Sequence, residues 1–380
     1  MQKMAQMNIP DSIIEVLYRL NVNRNIEPEL LADAFKSLLN IPNEGMRDIL
    51  LNTFLTGIMI KGPEEKEIVT LLKVAFSLDH FDPLLTPAAN KLPPGKLAVA
   101  TVGSGKKGIK TINISTSSAL VAASLGAHII KPGSFSVSSV TGSADFMYYI
   151  GANFNLTRDR AVEVLHDVGF VFLSIENLIP KFDEKYGRRF HVPHVLSFAL
   201  AGLLTPIKSD RIVYGLAHSN VELSIKVLRE FGIKDACVIS STPDGIHFMD
   251  EINVFGSTKI IRCRDGMLGT ADIINSEVEY SLPKYSVKDI AQGKEYSTNI
   301  TYVLNALKGK GKPAYEDLIA INAGNLLYIS EKVENIREGY YLAKKCIKTG
   351  LPYEKLEQYI EVTGGQKKNL VEFNKAKVYS

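Results

Sequence analysis

The sequence predicts an α/β protein, in which a small all-helical domain is joined to a larger domain with a mainly parallel sheet covered by helices. Residues 11–78 show only helical periodicity. From residue 97 onward, short apolar runs alternate with helical runs, which is typical of a parallel sheet with right-handed crossovers. At 380 residues the chain is long enough for two domains.

Short antiparallel helices are predicted throughout residues 11–78. Apolar residues recur every three or four positions, so each helix has one face to bury. A longer third helix begins at Asn43 and ends near Lys61-Gly62, because glycine stops a helix and lysine suits the negative end of the helix dipole. Pro63 then begins a fourth helix, since proline is tolerated in a first helical turn.

The strand–helix units follow in order. Strands are predicted at residues 97–102, 127–130, 170–173, 211–216, 236–240 and 259–264, and helices at 118–125, 157–168, 221–231, 315–328, 333–348 and 353–363. Residues 177–206 interrupt this alternation, and we expect them to return to the first helices. The predicted small domain is therefore residues 1–79 with about 177–206, and the α/β domain is about 95–176 with 207–380. A cluster of prolines places a hinge at about 80–95.

The composition argues against several classes of protein. The chain has 44 basic and 41 acidic residues, and this balance makes nucleic acid an unfavourable partner. Cys237, Cys263 and Cys346 are far apart and lack metal-ligand spacing, which indicates reduced thiols in a reducing compartment. No apolar run reaches the roughly 18 residues that a membrane span needs. We expect a soluble cytoplasmic protein without a membrane partner.

Between residues 102 and 145, the order strand, loop and helix start occurs twice. Glycine lets the backbone approach an anion closely, helix starts offer free N–H donors, and lysines add positive charge. This pattern predicts a phosphorylated ligand between the two loops; the alternative is that such loops are common in α/β proteins. The loops are Gly103-Ser104-Gly105-Lys106-Lys107 and Lys131-Pro132-Gly133-Ser134, and the helix starts are Thr111 to Thr116 and Thr141 to Asp145.

Asp250 and Glu251 form an adjacent pair of carboxylates. Such a pair can hold magnesium while phosphate oxygens complete the coordination shell. The alternative is a solvated pair of carboxylates. In either case the pair is expected in an exposed loop that contributes little to the core.

Together these motifs resemble the anthranilate phosphoribosyltransferases, which share a fold group with the pyrimidine nucleoside phosphorylases. The resemblance covers nearly the whole length of the chain. The residues that carry it are Asn113-Ile114-Ser115-Thr116, Gly142-Ser143-Ala144-Asp145, Asp250-Glu251, the helix end at Lys61-Gly62, the Asn322-Ala323 helix and the closing stretch from Gly350 to Ile360.

The resemblance implies a glycosyltransferase of tryptophan biosynthesis. Such an enzyme moves ribose 5-phosphate from phosphoribosyl pyrophosphate to an aromatic amine, anthranilate or a related acceptor, and releases pyrophosphate. Magnesium is the implied cofactor, with Asp250, Glu251 and Ser115 as its ligands. The implied phosphoribosyl pyrophosphate contacts are Gly103, Ser104, Gly105, Lys106, Lys107, Thr111, Asn113, Ser115, Thr116 and Ser143, and the implied catalytic residues are Lys131, Ser134, Arg188 and Arg189. The apolar N-terminal helices are the expected surface of a homodimer.

The chain departs from the family pattern in both halves of the site. Lys107 replaces the aspartate of the family's Gly-Thr-Gly-Gly-Asp, and we expect it to contact the diphosphate and to replace part of the role of magnesium. The family's Lys-His-Gly-Asn is here Lys131-Pro132-Gly133-Ser134, which removes two side chains expected to face the acceptor. The acceptor arginine is Arg188 or Arg189, and the sequence does not decide between them.

Two alternative functions stay open at this point. A lysine-rich loop that holds bare phosphate without metal would suit a phosphate-dependent nucleoside phosphorylase. The altered acceptor residues together with Lys106-Lys107 would suit a non-catalytic relative that binds nucleic acid, although the modest net charge argues against it.

Overall fold

The computed structural model describes residues 9–136 and 139–375. It begins with the predicted helical region, which is confirmed. Asn43 begins the third helix by accepting a hydrogen bond on its side chain from the Met46 backbone N–H at 2.9 Å, and Gly62 ends that helix with a positive φ. The region holds α1 (Asp11–Asn21), α2 (Pro28–Leu39), α3 (Glu44–Lys61) and α4 (Glu65–Ser77).

The strands of the described residues join one sheet, and the predicted α/β class with a mainly parallel sheet is confirmed. The strands are β1 (Ala98–Gly103), β2 (His128–Gly133), β3 (Phe170–Ser174), β4 (Arg211–Gly215), β5 (Ala236–Thr242), β6 (Ser257–Arg264), β7 (Met267–Leu268) and β8 (Asp272–Ile274). Their order is β3-β2-β1-β4-β5-β6-β7, and β8 also pairs with β6. Neighbouring strands from β3 to β5 are parallel.

The β6 edge of the sheet differs from the expected parallel pattern. β6 runs antiparallel to β5, β7 and β8. The link from β6 to β7 is the two-residue turn Asp265-Gly266, in which both residues have positive φ. An Asp-Gly turn of this kind favours a hairpin because its twist matches that of the two strands. The chain therefore reverses directly here instead of crossing over through a helix.

Helices cover the sheet, and most of them lie at predicted positions. Among the described residues, four helices fall outside the predicted elements. Ser276–Glu279 and Val287–Ile290 are only about one turn long, and Tyr296–Leu307 and Lys367–Lys375 lie where the sequence analysis predicts no helix. The remaining helices are α5 (Ile114–Ser124), α6 (Ser143–Tyr149), α7 (Arg158–Val168), α8 (Pro180–Tyr186), α9 (Leu200–Leu203), α10 (Val221–Glu230), α11 (Ser276–Glu279), α12 (Val287–Ile290), α13 (Tyr296–Leu307), α14 (Pro313–Ile329), α15 (Ile336–Thr349), α16 (Leu351–Val362) and α17 (Lys367–Lys375), with a 3-10 helix at Val195–Phe198.

The segment after β3 contacts the first helices, as its irregular pattern predicts. The Asp79 carboxylate accepts hydrogen bonds from the backbone N–H groups of Lys181 and Phe182, both at 2.9 Å. The Arg189 guanidinium donates to Asp48 on α3 at 2.8 Å. These contacts fix α8 beside the N-terminal helices. The division into two domains with a hinge at about 80–95 stays a prediction.

Two observations bear on the predicted environment of the chain. No helix within the described ranges is both long and apolar enough to span a bilayer. Cys237, Cys263 and Cys346 are buried free thiols. Burial raises the pKa of Cys237 to about 11, so this group stays a protonated, weakly reactive thiol at neutral pH.

Helices α14 and α15 approach each other closely at two glycines. A Cβ atom on Gly324 would lie 2.5 Å from the Tyr340 backbone nitrogen, and one on Gly339 would lie 2.6 Å from the Gly324 carbonyl oxygen. Backbone atoms cannot move aside as the end of a flexible side chain can. The position of α14, and of every side chain it carries, therefore depends on these two glycines.

We expect Gly324→Ala to destabilise the protein by about 1–3 kcal/mol, because the added methyl group forces the two helix backbones apart. Gly45→Ala is the matched control, since its Cβ would meet only the Asn43 side chain at 3.7 Å. Alanine in a helix is favoured over glycine by up to about 1 kcal/mol, so the control should be neutral or stabilising. Urea denaturation of both variants measures the difference; equal midpoints would contradict the close approach.

Candidate functional site

The predicted site residues gather at the carboxyl ends of β1 and β4. Strand order changes direction between these two strands, since β2 and β3 lie on one side and β5 on the other. Ligands of open parallel sheets bind at such a position, because the loops on the two sides separate there. The sheet topology thus provides a crevice before any side chain is considered.

Two adjoining cavities open at this crevice. The first, which we name the loop cavity, has a volume of about 180 Å³ and is lined by both predicted loops and by Asp250 and Glu251. The second, which we name the aromatic cavity, has a volume of about 360 Å³ and lies against α8. The two cavities share a wall made of Gly103, Ser104, Gly105, Lys106, Ser134, Phe135 and Ile175.

Asp250 lies directly against the ends of β1 and β4. A Cβ atom on Gly103 would overlap the Asp250 carboxylate, and one on Gly215 would overlap the Asp250 carbonyl oxygen. The Gly105 backbone N–H donates to Asp250 Oδ2 at 2.9 Å. Asp250 is therefore held by the first loop and fits only because both strands end in glycine.

Asn322 on α14 holds the same segment from the other side. Its Oδ1 accepts from the Ile252 backbone N–H at 3.0 Å, and its Nδ2 donates to the Ile252 carbonyl at 2.8 Å. The Ser241 hydroxyl donates to the Glu251 carbonyl at 2.6 Å. The backbone of residues 251 and 252 is thus held by Asn322 and Ser241. Because the side chains of Asp250 and Glu251 are only 8% and 6% exposed, the prediction that they lie in an exposed loop is wrong.

Lys107 contacts the two carboxylates. Its Nζ lies 2.6 Å from Glu251 Oε1, 3.7 Å from Asp250 Oδ1 and 2.7 Å from Thr111 Oγ1. Burial acts to lower the pKa of Lys107, but the charges of Glu251 and Asp250 outweigh it and raise that pKa. Burial also raises the pKa of Glu251 to about 8, although the charge of Lys107 opposes this shift. The lysine is therefore a cation whose ammonium group is directed at this buried pair of carboxyl groups.

Lys106 points away from the carboxylates. Its backbone is left-handed, with φ of 56°, which is uncommon for a residue with a side chain. Its Nζ lies 5.8 Å from the centre of the Tyr186 ring, and Lys106 lines both cavities. Burial, with a smaller contribution from Lys110, lowers the pKa of Lys106 to about 8. Lys106 thus faces the aromatic cavity, and it forms no ion pair with a carboxylate of residues 9–136 or 139–375.

The segment that leads into α5 contributes hydroxyl and amide groups to the loop cavity. Thr111, Asn113 and Ser115 line it, as does Ser143 at the start of α6. The Asn113 Oδ1 atom is buried without a hydrogen-bond partner among the described residues. Thr116 is fully buried and does not line the cavity. The structure therefore brings the predicted phosphate contacts together in the loop cavity, except for Thr116, which lies behind the cavity wall.

Lys131 and Ser134 lie at the end of β2. Lys131 lines the loop cavity although its side chain is almost completely buried, and its ammonium donates to the Pro132 carbonyl at 2.6 Å. Burial lowers the pKa of Lys131 to about 8, in spite of the nearby charges of Asp250 and Glu251. Ser134 belongs to the wall between the two cavities.

The structure separates the two candidate arginines. Arg188 lines the aromatic cavity. Arg189 does not line it, because its guanidinium is bound to Asp48 at 2.8 Å and to Glu44 at 2.5 Å on α3. Of these two arginines, Arg188 is thus the one that lines the aromatic cavity, and Arg189 joins the segment after α8 to α3.

The aromatic cavity contains residues that the sequence did not single out. Phe182 and Tyr186 stack with ring centres 4.7 Å apart, and Tyr186 and Phe190 lie 5.1 Å apart. The Tyr186 hydroxyl is hydrogen-bonded to His194 at 2.6 Å, and Tyr214 lines the same cavity. The spacing of Phe182 and Tyr186 was the available signal, since residues four apart share a helix face. Phe190 follows the end of α8, so that spacing does not predict its position.

The oxygens of the loop cavity fit a magnesium ion. Asp250 Oδ1 and Glu251 Oε2 are buried without a hydrogen-bond partner among the described residues, and Ser115 lines the same cavity. Magnesium prefers such oxygen ligands and usually binds together with substrate phosphates. Within residues 9–136 and 139–375 no group of three or more His, Cys, Asp or Glu is arranged to hold a metal. A phosphorylated ligand would therefore have to complete the coordination shell.

Comparison with known proteins points to one family. The sequence model described as "Glycosyl transferase family, a/b domain" matches residues 95–353. Anthranilate phosphoribosyltransferase from Acetivibrio thermocellus is 30% identical over 82% of this chain and 86% of its own length. The protein of the same name from Pseudoalteromonas translucida is 29% identical over 84% of this chain and 86% of its own.

Solved structures show the same fold. Anthranilate phosphoribosyltransferase from Thermus thermophilus has a TM-score of 0.71 at 22% identity, covering 92% of this chain and 99% of that one. The Saccharomyces cerevisiae protein in complex with PRPP and Mg has a TM-score of 0.72 at 19% identity, covering 93% of this chain and 98% of that one.

We expect the affinity for inorganic pyrophosphate to fall as the pH rises above 8. Lys131 and Lys106 have pKa values lowered to about 8, and a bound anion favours their charged forms. Below pH 8 both cations are present; above it each lost charge weakens binding by up to about tenfold per pH unit. Calorimetric titration at pH 7 and pH 9 measures this change.

Lys131→Met should remove a large part of the pH dependence by removing one titrating cation. Lys91→Met, at an exposed lysine outside both cavities, should keep it. An affinity that is constant between pH 7 and pH 9 in the unmodified protein would show that neither lysine faces the ligand.

Proposed function

This chain belongs to the anthranilate phosphoribosyltransferase family, and on that premise we propose that it transfers ribose 5-phosphate from phosphoribosyl pyrophosphate to an aromatic amine, anthranilate or a related acceptor. It is a glycosyltransferase of the pentosyl class. In the reaction the C1–O bond breaks and its electron pair leaves with pyrophosphate. A C1–N bond forms, and the amine gives up one proton.

One structural feature supports this function above the others: the loop cavity and the aromatic cavity share a wall. The loop cavity offers cations, hydroxyls and the start of α5, which suit a diphosphate. The aromatic cavity offers a stacked apolar surface, which suits an aromatic ring. Because Ser134 and Gly103 line both cavities, a ribose that bridges them would bring its C1 atom close to an acceptor ring.

Each side chain that faces phosphoribosyl pyrophosphate has a proposed role. Lys131 neutralises the leaving pyrophosphate, and Asn113 and Ser115 donate to its oxygens from the start of α5. Asp250, Glu251 and Ser115 would hold a magnesium ion, which would supply positive charge to the leaving group when bound. These residues thus act on charge that develops as the C1–O bond breaks.

The acceptor half of the site offers different groups to the acidic substituent of the acceptor and to its amine. Lys106 and Arg188 provide positive charge for an acidic substituent of the acceptor. Asp183 lines the same cavity, and burial, followed by the charge of Glu176, raises its pKa. A carboxylate with a raised pKa is suited to accept the proton that the amine releases.

The phosphorylase alternative is less well supported, because Lys107 is held by Glu251 and Asp250 and does not offer a free ammonium group to bare phosphate. Calorimetric titration with phosphoribosyl pyrophosphate and magnesium, followed by a measurement of anthranilate-dependent pyrophosphate release, tests the transferase. Absence of donor binding at millimolar concentration would contradict the proposed function. Phosphate-dependent release of free base from nucleosides would instead identify a phosphorylase.

We also propose a homodimer formed through the N-terminal helices and a cytoplasmic location. Tyr18, Val22, Ile49 and Ile60 are exposed apolar residues of α1 and α3 or of the turn between α1 and α2. Exposed apolar surface of this kind favours association with another protein surface. Buried free cysteines agree with a reducing compartment.

Arg188→Ala should raise the KM for the acceptor by about tenfold without a change in stability, since it removes one charge-assisted hydrogen bond at an accessible cavity wall. Arg189→Ala should leave the KM unchanged and lower the melting temperature slightly, because its carboxylate partners Glu44 and Asp48 are partly exposed. Steady-state kinetics and thermal denaturation of the two variants measure this difference. The reverse pattern would reassign the acceptor arginine.

A further inference from the structure

We propose that the ammonium group of Lys107 is a permanent cation on the Asp250–Glu251 pair and supplies part of the charge that magnesium provides, so that phosphoribosyl pyrophosphate binding persists without metal. This inference rests on the proposed function. It differs from the expectation that Lys107 contacts the diphosphate, because the ammonium group contacts the carboxylates instead.

The contacts of Lys107 leave its ammonium group little freedom. Glu251 and Thr111 accept from Nζ at 2.6 Å and 2.7 Å, and Asp250 lies at 3.7 Å. The side chains of Lys107, Asp250 and Glu251 are only 14%, 8% and 6% exposed. Water screens such charges weakly, so the attraction between them is stronger than in a surface ion pair.

The Asp250 carboxylate and the backbone that carries Glu251 are also fixed, which limits how far the pair can move from the lysine. Gly105 donates to Asp250, and Asn322 and Ser241 hold the backbone that carries Glu251. In a rigid segment the lysine and a magnesium ion must share the same two side chains. A bound ammonium group lowers the affinity of the pair for a second cation through like-charge repulsion.

Two oxygens that Lys107 leaves without a hydrogen bond show that it replaces magnesium only in part. The buried Asp250 Oδ1 and Glu251 Oε2 atoms lack hydrogen-bond partners among the described residues, although Lys107 lies beside both side chains. These oxygens can still contact a magnesium ion carried by the diphosphate. Magnesium should therefore strengthen binding of the donor but should not be required for it.

The experiment is calorimetric titration of the full chain with phosphoribosyl pyrophosphate, once with magnesium and once with excess chelator. The affinity of the unmodified protein in chelator should lie within about tenfold of that with magnesium. Lys107→Met should lose about ten- to a hundredfold in chelator, the value of one charge-assisted contact, and less with magnesium. Lys107→Arg, which keeps the charge, should restore binding in chelator.

Lys107→Asp gives a readout that does not depend on the donor or on activity. It would leave three carboxylates without their cation, so magnesium alone should raise its melting temperature. Magnesium alone should leave the melting temperature of the unmodified protein nearly unchanged. Lys91→Met is the control, because Lys91 is an exposed lysine outside both cavities; its ratio of affinities with and without magnesium should equal that of the unmodified protein.

The outcomes separate this inference from the proposed function. Donor binding to the unmodified protein with magnesium but not in chelator would overturn the inference and leave the function intact. Absence of binding in both conditions would overturn the function as well. If Lys107→Met does not fold, the unmodified protein and Lys107→Arg in chelator still decide the question.

Discussion

The site depends on the close packing of Asp250 against the carboxyl ends of β1 and β4. Gly103 and Gly215 end these strands without side chains, and any Cβ there would overlap Asp250. Asn322 fixes the following residue from α14. Protein interiors are packed as densely as organic crystals, so a displacement on one side is transmitted to the other. The sheet and α14 thereby determine together where the carboxylates lie.

The first loop carries two consecutive lysines, Lys106 and Lys107, whose side chains point in different directions. The left-handed backbone at Lys106 directs that side chain over Tyr186, whereas Lys107 is directed at Glu251. Both side chains are shielded from water, so each charge acts strongly on its own surroundings and little is lost to screening. One loop therefore supplies a cation to the carboxylate pair and another to the aromatic cavity.

The shared wall between the cavities joins the two halves of a transfer reaction. When the donor and the acceptor are each bound at their side of the wall, the reacting atoms are already close together. Such positioning lowers a reaction barrier by several kcal/mol in typical cases, roughly 7–11 at most. Ser134 and Gly103 lie at that boundary. Substitutions in α8 can thus change the acceptor without disturbing the groups that face the donor.

The sequence alone determined the helical N-terminal region, the alternating strands and helices, and the two loops that line one cavity. Those features depend on local periodicity and on glycine, proline and capping residues, which are read within a few positions. Three results depended on tertiary structure: the burial of Asp250 and Glu251, the different positions of Arg188 and Arg189, and the ion pair of Lys107. Each of these depends on residues far apart in the chain, for example Lys107 with Glu251, or Arg189 with Asp48. Local pattern carries no information about which distant partner a charged side chain meets, because packing of whole elements sets that distance.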